Sequence, residues 1–192
     1  MDEDRVRDEL DAVKRAVEQL TGLRSRWSGN VILLDTAQIV ALKGVEVLAE
    51  KRWACDMVVN TDLIGLPIRW RTFIHEVIHS VSVGSNDADY RRFRGWEEGV
   101  VEQTQRLLRP ELLGLLQARA AETACEGADR RWIFNPYVEA LEALRVPLKM
   151  ATTAFYMNLL KTPLASRLAS VRALSDTLEH QRRFAYTLGK LR

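Results

Sequence analysis

A predominantly helical α+β fold is what this chain predicts, on three observations. Apolar residues recur at steps of three and four over most of its length, only short β-branched runs interrupt that pattern, and all of those runs precede residue 63. With 47% hydrophobic and 28% charged residues among 192, the composition is that of a globular protein, not of a disordered or fibrous one. The length suits one compact domain or two small lobes. They read as residues 1–110, with the sheet and two motif-bearing helices, and residues 111–192, a helical C-terminal subdomain.

Asp2–Leu20 places Val6, Leu10, Val13, Val17 and Leu20 on one helical face, and Thr21-Gly22 closes it, since glycine readily turns left-handed after a helix end. "RWSGN" (Arg26–Asn30) reads as a turn and "VILLD" (Val31–Asp35) as a buried strand. Ala37–Lys51 fits either a helix or two strands broken at Gly44. "ACDMVVNTD" (Ala54–Asp62) reads as a strand because Val58 and Val59 favour extended backbone. "LIGLP" then turns into a helix over Ile68–Val83. "GSNDAD" (Gly84–Asp89) is a polar loop, continued by the arginine-rich "YRRFRG" (Tyr90–Gly95). Trp96–Leu108 is a second helix, expected to stop near Arg109-Pro110 because the residue before a proline avoids helical geometry. Helical patterns follow at Glu111–Glu122, Pro136–Val146, Met150–Leu160 and Pro163–Leu188.

Charge excludes little but orders the alternatives. The net value of +2 is too small to imply nucleic acid. It is unevenly spread: Met1–Leu20 has seven acids against four bases, and Lys161–Arg192 seven bases against two acids. The start "MDEDRVRDEL" is acidic where a signal peptide is basic and then apolar, and no apolar run approaches a membrane span, so a cytoplasmic protein without membrane contact is expected. Cys55 and Cys125 stand apart and are read as free, buried thiols.

The chemistry concentrates in "RTFIHEVIHSVSV" (Arg71–Val83). On a helix, His75 and His79 share one face, one turn apart, and can offer two imidazoles to one cation. Glu76 lies about 100° round the axis from His75, within reach of a water on that cation without ligating it. Two neutral nitrogens for Zn²⁺ and a carboxylate base for its water are the components of hydrolysis. With three histidines in 192 residues, random placement yields HExxH about 0.004 times. Unpaired, these groups would also be costly in so apolar a helix.

A catalytic zinc needs a third protein ligand. Ser82 and Ser85 stand where a metzincin has glycine and histidine, and His180 lies far downstream in a basic helix. "RGWEEGVVEQTQ" (Arg94–Gln105) instead offers Glu97, Glu98 and Glu102. Glu98-Gly99 follows His79 by nineteen residues. This HExxH-x18-E arrangement over about Arg71–Gln105 resembles the gluzincin metallopeptidases, the group of thermolysin-like proteases and zinc aminopeptidases. The resemblance implies a zincin-like fold, a polypeptide substrate, and Zn²⁺ held by His75, His79 and Glu98 with Glu76 as general base. Glu102, one turn after Glu98, suits a carboxylate accepting a hydrogen bond from a ligand imidazole; Glu97 points elsewhere and is expected in solvent. Related enzymes add an oxyanion donor from the C-terminal lobe, for which Tyr137 is the first candidate, with Tyr156 and His180 behind it. By the same analogy Ala54–Asp62 would be the sheet edge that holds an extended peptide. The aminopeptidase GxMEN motif is missing, so endoproteolysis or limited proteolysis is expected.

Two other classes compete. One is a non-catalytic or regulatory zinc-binding protein whose helical half docks a partner; against it stands Glu76, for which a structural site has no use. The other is nucleic-acid binding through the basic C-terminal helix, which predicts steeply salt-dependent affinity. The arginines of "YRRFRG" would favour acidic substrates, bind phosphate, or cap and solvate their loop.

Overall fold

The structure, a computed structural model, describes residues 3–45, 48–52, 55–174 and 191. It is 68% helix and 7% strand, which bears out the mostly helical α+β fold. Its elements run α1 (Glu3–Thr21), β1 (Val31–Leu34), α2 (Thr36–Lys43), β2 (Ala49–Lys51), β3 (Met57–Asn60), α3 (Arg69–Val81), α4 (Asp87–Leu115), α5 (Glu122–Asp129), α6 (Asn135–Arg145), α7 (Thr152–Lys161) and α8 (Arg167–Ala173), with short 3₁₀ turns between some of them. Among the described residues no helix is long and apolar enough to cross a membrane.

By packing, the chain divides into two units, Met1–Val81 with Leu108–Arg130 and Ser82–Leu107 with Arg131–Arg192. The boundary expected after residue 110 falls inside α4. That helix continues through Pro110 even though proline removes one helical donor. Leu112 and Leu113 just beyond it are fully buried, and Arg109 is tied to Asp129 at 2.5 Å, so local packing outweighs the proline's preference.

In the first unit, α1 buries Val6, Leu10, Val13 and Val17 of the face its periodicity predicts, with Ala16 beside them, while Leu20 is only half-buried. Leu10 and each of the three valines contribute about 1.5–3 kcal/mol on leaving water. The helix ends at Gly22, whose φ of 69° suits glycine and whose N–H returns to Glu18 O at 2.9 Å. Arg69 of α3 grips Glu9 of α1 with two nitrogens, at 2.8 and 3.1 Å. The ambiguous segment after residue 36 resolves into helix α2 and then strand β2. Asp35 caps α2 by accepting the Gln38 N–H at 2.8 Å, and Gly44 closes it with φ 73°.

The sheet order is β1-β3-β2, with β1 parallel and β2 antiparallel to β3. The strand within Ala54–Asp62 is therefore central, not the edge the resemblance implied, and all four of its residues are buried. A central strand has its backbone groups committed on both sides, so the edge on the β2 side is Ala49–Lys51 itself. Cys125 is buried as expected, Cys55 is half-exposed, and no disulfide joins them.

In the second unit, backbone bonds clamp Val83 to the end of α7: its N–H donates to Leu160 O at 3.2 Å and its carbonyl accepts from Leu164 N at 3.1 Å. The helix pattern expected over Pro163–Leu188 is realised as a 3₁₀ turn at Leu164–Ser166 and then α8, and its remainder lies outside the described residues. The supposed loop Gly84–Asp89 already enters α4 at Asp87. Asn86 starts that helix by accepting the Asp89 N–H at 3.0 Å, so "YRRFRG" is helical as well.

Candidate metal centre

Helix α3 is buried almost all round: Arg71–His75 and Val77–Val81 are all inaccessible, leaving Glu76 as the partly exposed residue between them. Such a helix is held on every side, and it carries His75 and His79 at 4% and 6% exposure. Their Nε2 atoms stand 3.2 Å apart, with ring planes inclined at 75°. Two neutral imidazoles meet this way when one donates to the other, or when both turn lone pairs to one cation. Zinc–nitrogen bonds of 2.0–2.1 Å in a tetrahedron set the nitrogens about 3.3–3.4 Å apart. The observed separation fits that edge with little rearrangement.

The third member comes from α4. One ligand-type atom from each of His75, His79 and Glu98 lies within 4.8 Å of the other two, and all three residues are buried. Two nitrogens and a carboxylate oxygen form a donor set suited to a zinc-like divalent ion. Glu98 has a companion outside the expected set: the Tyr90 hydroxyl donates to its Oε1.

Glu76 follows His75 directly, and its Oε2 accepts the backbone N–H of Lys51 at 2.8 Å. Lys51 ends the edge strand β2, so an outward-facing amide of the sheet orients the carboxylate.

The other expected residues are placed as follows. Glu102 is fully buried and accepts from Arg106 Nε at 2.8 Å, while Arg106 also reaches Asn135 Oδ1 at 2.6 Å, tying α4 to the start of α6. Tyr137 is half-buried and stacks on Phe134, with ring centroids 6.1 Å apart. Helix α6 passes so near Gly99 that a Cβ there would lie 3.1 Å from Tyr137 Cβ and 2.7 Å from Leu141 Cδ1. The glycine beside Glu98 thus allows a close helix crossing. Tyr156 is buried, and burial together with the nearby Glu142 carboxylate pushes its phenol far above the ordinary range. His180 lies outside the described residues.

Glu97 corrects the expectation of a solvated acid. It is fully buried, accepts the Ser82 hydroxyl at 2.8 Å and pairs with the equally buried Arg167 at 2.8 Å. The arginines of "YRRFRG" are exposed; Arg91 pairs with Asp87 at 2.8 Å and Arg92 lies 5.1 Å from the Phe93 ring centre. Tyr90 lies in a segment expected as loop that is in fact helical. The signal that would have found it is Asn86, a good helix-starting residue four positions earlier.

No protein-family model, curated protein or solved structure matches this chain.

Proposed function

We propose that this protein is a zinc-dependent metallopeptidase that cuts polypeptides, by endoproteolysis or limited proteolysis, in the cytoplasm. The observation that carries the reading is the buried His75, His79 and Glu98 group, with Glu76 following His75 directly in α3. His75, His79 and Glu98 would hold the zinc, which when bound supplies a Lewis acid for a peptide carbonyl and acidifies water. Glu76 takes the proton of the attacking water and then delivers it to the departing amine nitrogen, acting first as base and then as acid. The Lys51 amide keeps that carboxylate in one orientation meanwhile. Tyr137 is the proposed hydrogen-bond donor to the developing oxyanion.

The decisive experiment combines metal analysis with Glu76→Gln. The wild-type protein is expected to carry about one zinc per chain and to cleave an unfolded casein substrate. Glu76→Gln should keep the zinc and lose about 10²–10⁴-fold in turnover. Unchanged turnover in that variant, or no zinc in the wild type, rules the proposal out.

A further inference from the structure

The hydroxyl of Tyr90 engages one oxygen of a carboxylate that is itself part of the candidate metal set. In a straight helix, residues eight apart are separated by about 12 Å along the axis and about 80° around it, too far for a tyrosine and a glutamate to meet easily. Between the two stands Phe93, whose φ of −126° and ψ of 31° leave helical geometry and bend α4. The bend lets Tyr90 reach Glu98. The turn carrying Tyr90 is itself fixed: the Tyr90 N–H donates to Asn86 O at 2.8 Å, and the Asn86 side chain holds the Asp89 amide.

We propose that Tyr90 is a positioning residue of the metal centre, holding Oε1 of Glu98 so that the carboxylate meets the cation through its other oxygen alone. The proposal rests on the reading that this group binds zinc. A phenol has one proton to give and so occupies one carboxylate oxygen. A carboxylate with both oxygens on a zinc takes two coordination positions, whereas hydrolysis needs one position kept for water. Hydrogen bonds to ligating carboxylates also set how well the ligands are presented, and their loss weakens metal binding.

The test is a competition titration of metal-stripped full-length protein with Zn²⁺ against a chromophoric chelator, using wild type, Tyr90→Phe, Glu98→Gln and the double variant. Tyr90→Phe should bind zinc about 10-fold more weakly than wild type. Against Glu98→Gln the same change should add nothing, since the group it acts through has been altered. In the Co²⁺-loaded protein, Tyr90→Phe should weaken the visible d–d bands, as a second carboxylate oxygen raises the coordination number. Affinity within twofold of wild type, an equal loss in both backgrounds, or an unchanged cobalt spectrum overturns the role of Tyr90 while leaving the zinc site standing. A wild type that fails to compete with the chelator overturns the zinc reading, and this proposal with it.

Discussion

Helix α3 is thirteen residues long and buries ten of them, whereas α4 runs for twenty-nine, bends at Phe93 and carries Pro110 in its interior. Both present candidate metal ligands, by different means. In α3 the helical repeat alone brings two imidazoles together, because residues four apart share a face. Its own apolar side chains Phe73, Ile74, Val77 and Ile78 are fully buried and anchor the helix in the core. In α4 Trp96, Val100 and Val101 are buried as well, but polar partners are added around Glu98: Tyr90 on the carboxylate itself, and the Glu97–Arg167–Ser82 network on the neighbouring residue. A ligand pair fixed by periodicity tolerates change in distant residues. A ligand fixed by a bend and buried charges does not.

Arg167→Met gives the largest expected effect on stability, because it leaves Glu97 charged, buried and stripped of its cation. Breaking one side of such a pair costs about 3–5 kcal/mol, and the added change Glu97→Gln should restore part of it. Urea unfolding of the two variants measures this; a loss below 1 kcal/mol would mean that α4 is held mainly by apolar packing, as α3 is.

Asp129→Asn probes a polar tie that the two helices share, through Arg71 of α3 at 2.7 Å and Arg109 of α4 at 2.5 Å. Burial opposes ionisation of Asp129, but hydrogen bonds and charge from the two arginines prevail and hold its carboxyl below the usual value. A carboxyl depressed in the fold stabilises fully above its unfolded value, about 3.9, and loses that contribution as pH falls through the folded one. The variant should be less stable by about 2 kcal/mol at neutral pH. Its gap from wild type should close as pH falls below about 4. Unfolding titrations at neutral and acidic pH compare the two, and an undiminished gap in acid would assign the effect to packing rather than charge.

Gly99→Ala is the mildest. The added methyl would meet Leu141 Cδ1 at 2.7 Å, an overpacking cost of about 1–3 kcal/mol. Alanine gains about 1 kcal/mol over glycine in a helix, so a net loss of about 1 kcal/mol is expected in thermal unfolding. A stabilised variant would show that the crossing beside Glu98 has room to give.

The helices that could be read from the chain are those whose evidence is local. α1 and α3 fall within two residues of their expected bounds, and His75, Glu76 and His79 follow from the repeat of one helix. Features set by a partner elsewhere in the chain leave no local mark. The strand at Met57–Asn60 is central because β2, left ambiguous by Gly44, pairs with it. Glu97 is indistinguishable along the chain from a surface acid until Arg167, seventy residues on, lies against it. Tyr90 follows a polar stretch and stands among arginines, which along the chain resembles a loop, although those arginines face solvent from a helix.

By itself, then, the order of residues determined that two imidazoles and a carboxylate share one turn of a buried helix, since backbone geometry converts spacing into direction without help. Only the tertiary structure decided which acids of α4 are buried, where that helix bends, and which strand carries the edge beside Glu76. Those outcomes depend on desolvation and hydrogen bonding between segments far apart in the chain, and spacing encodes neither.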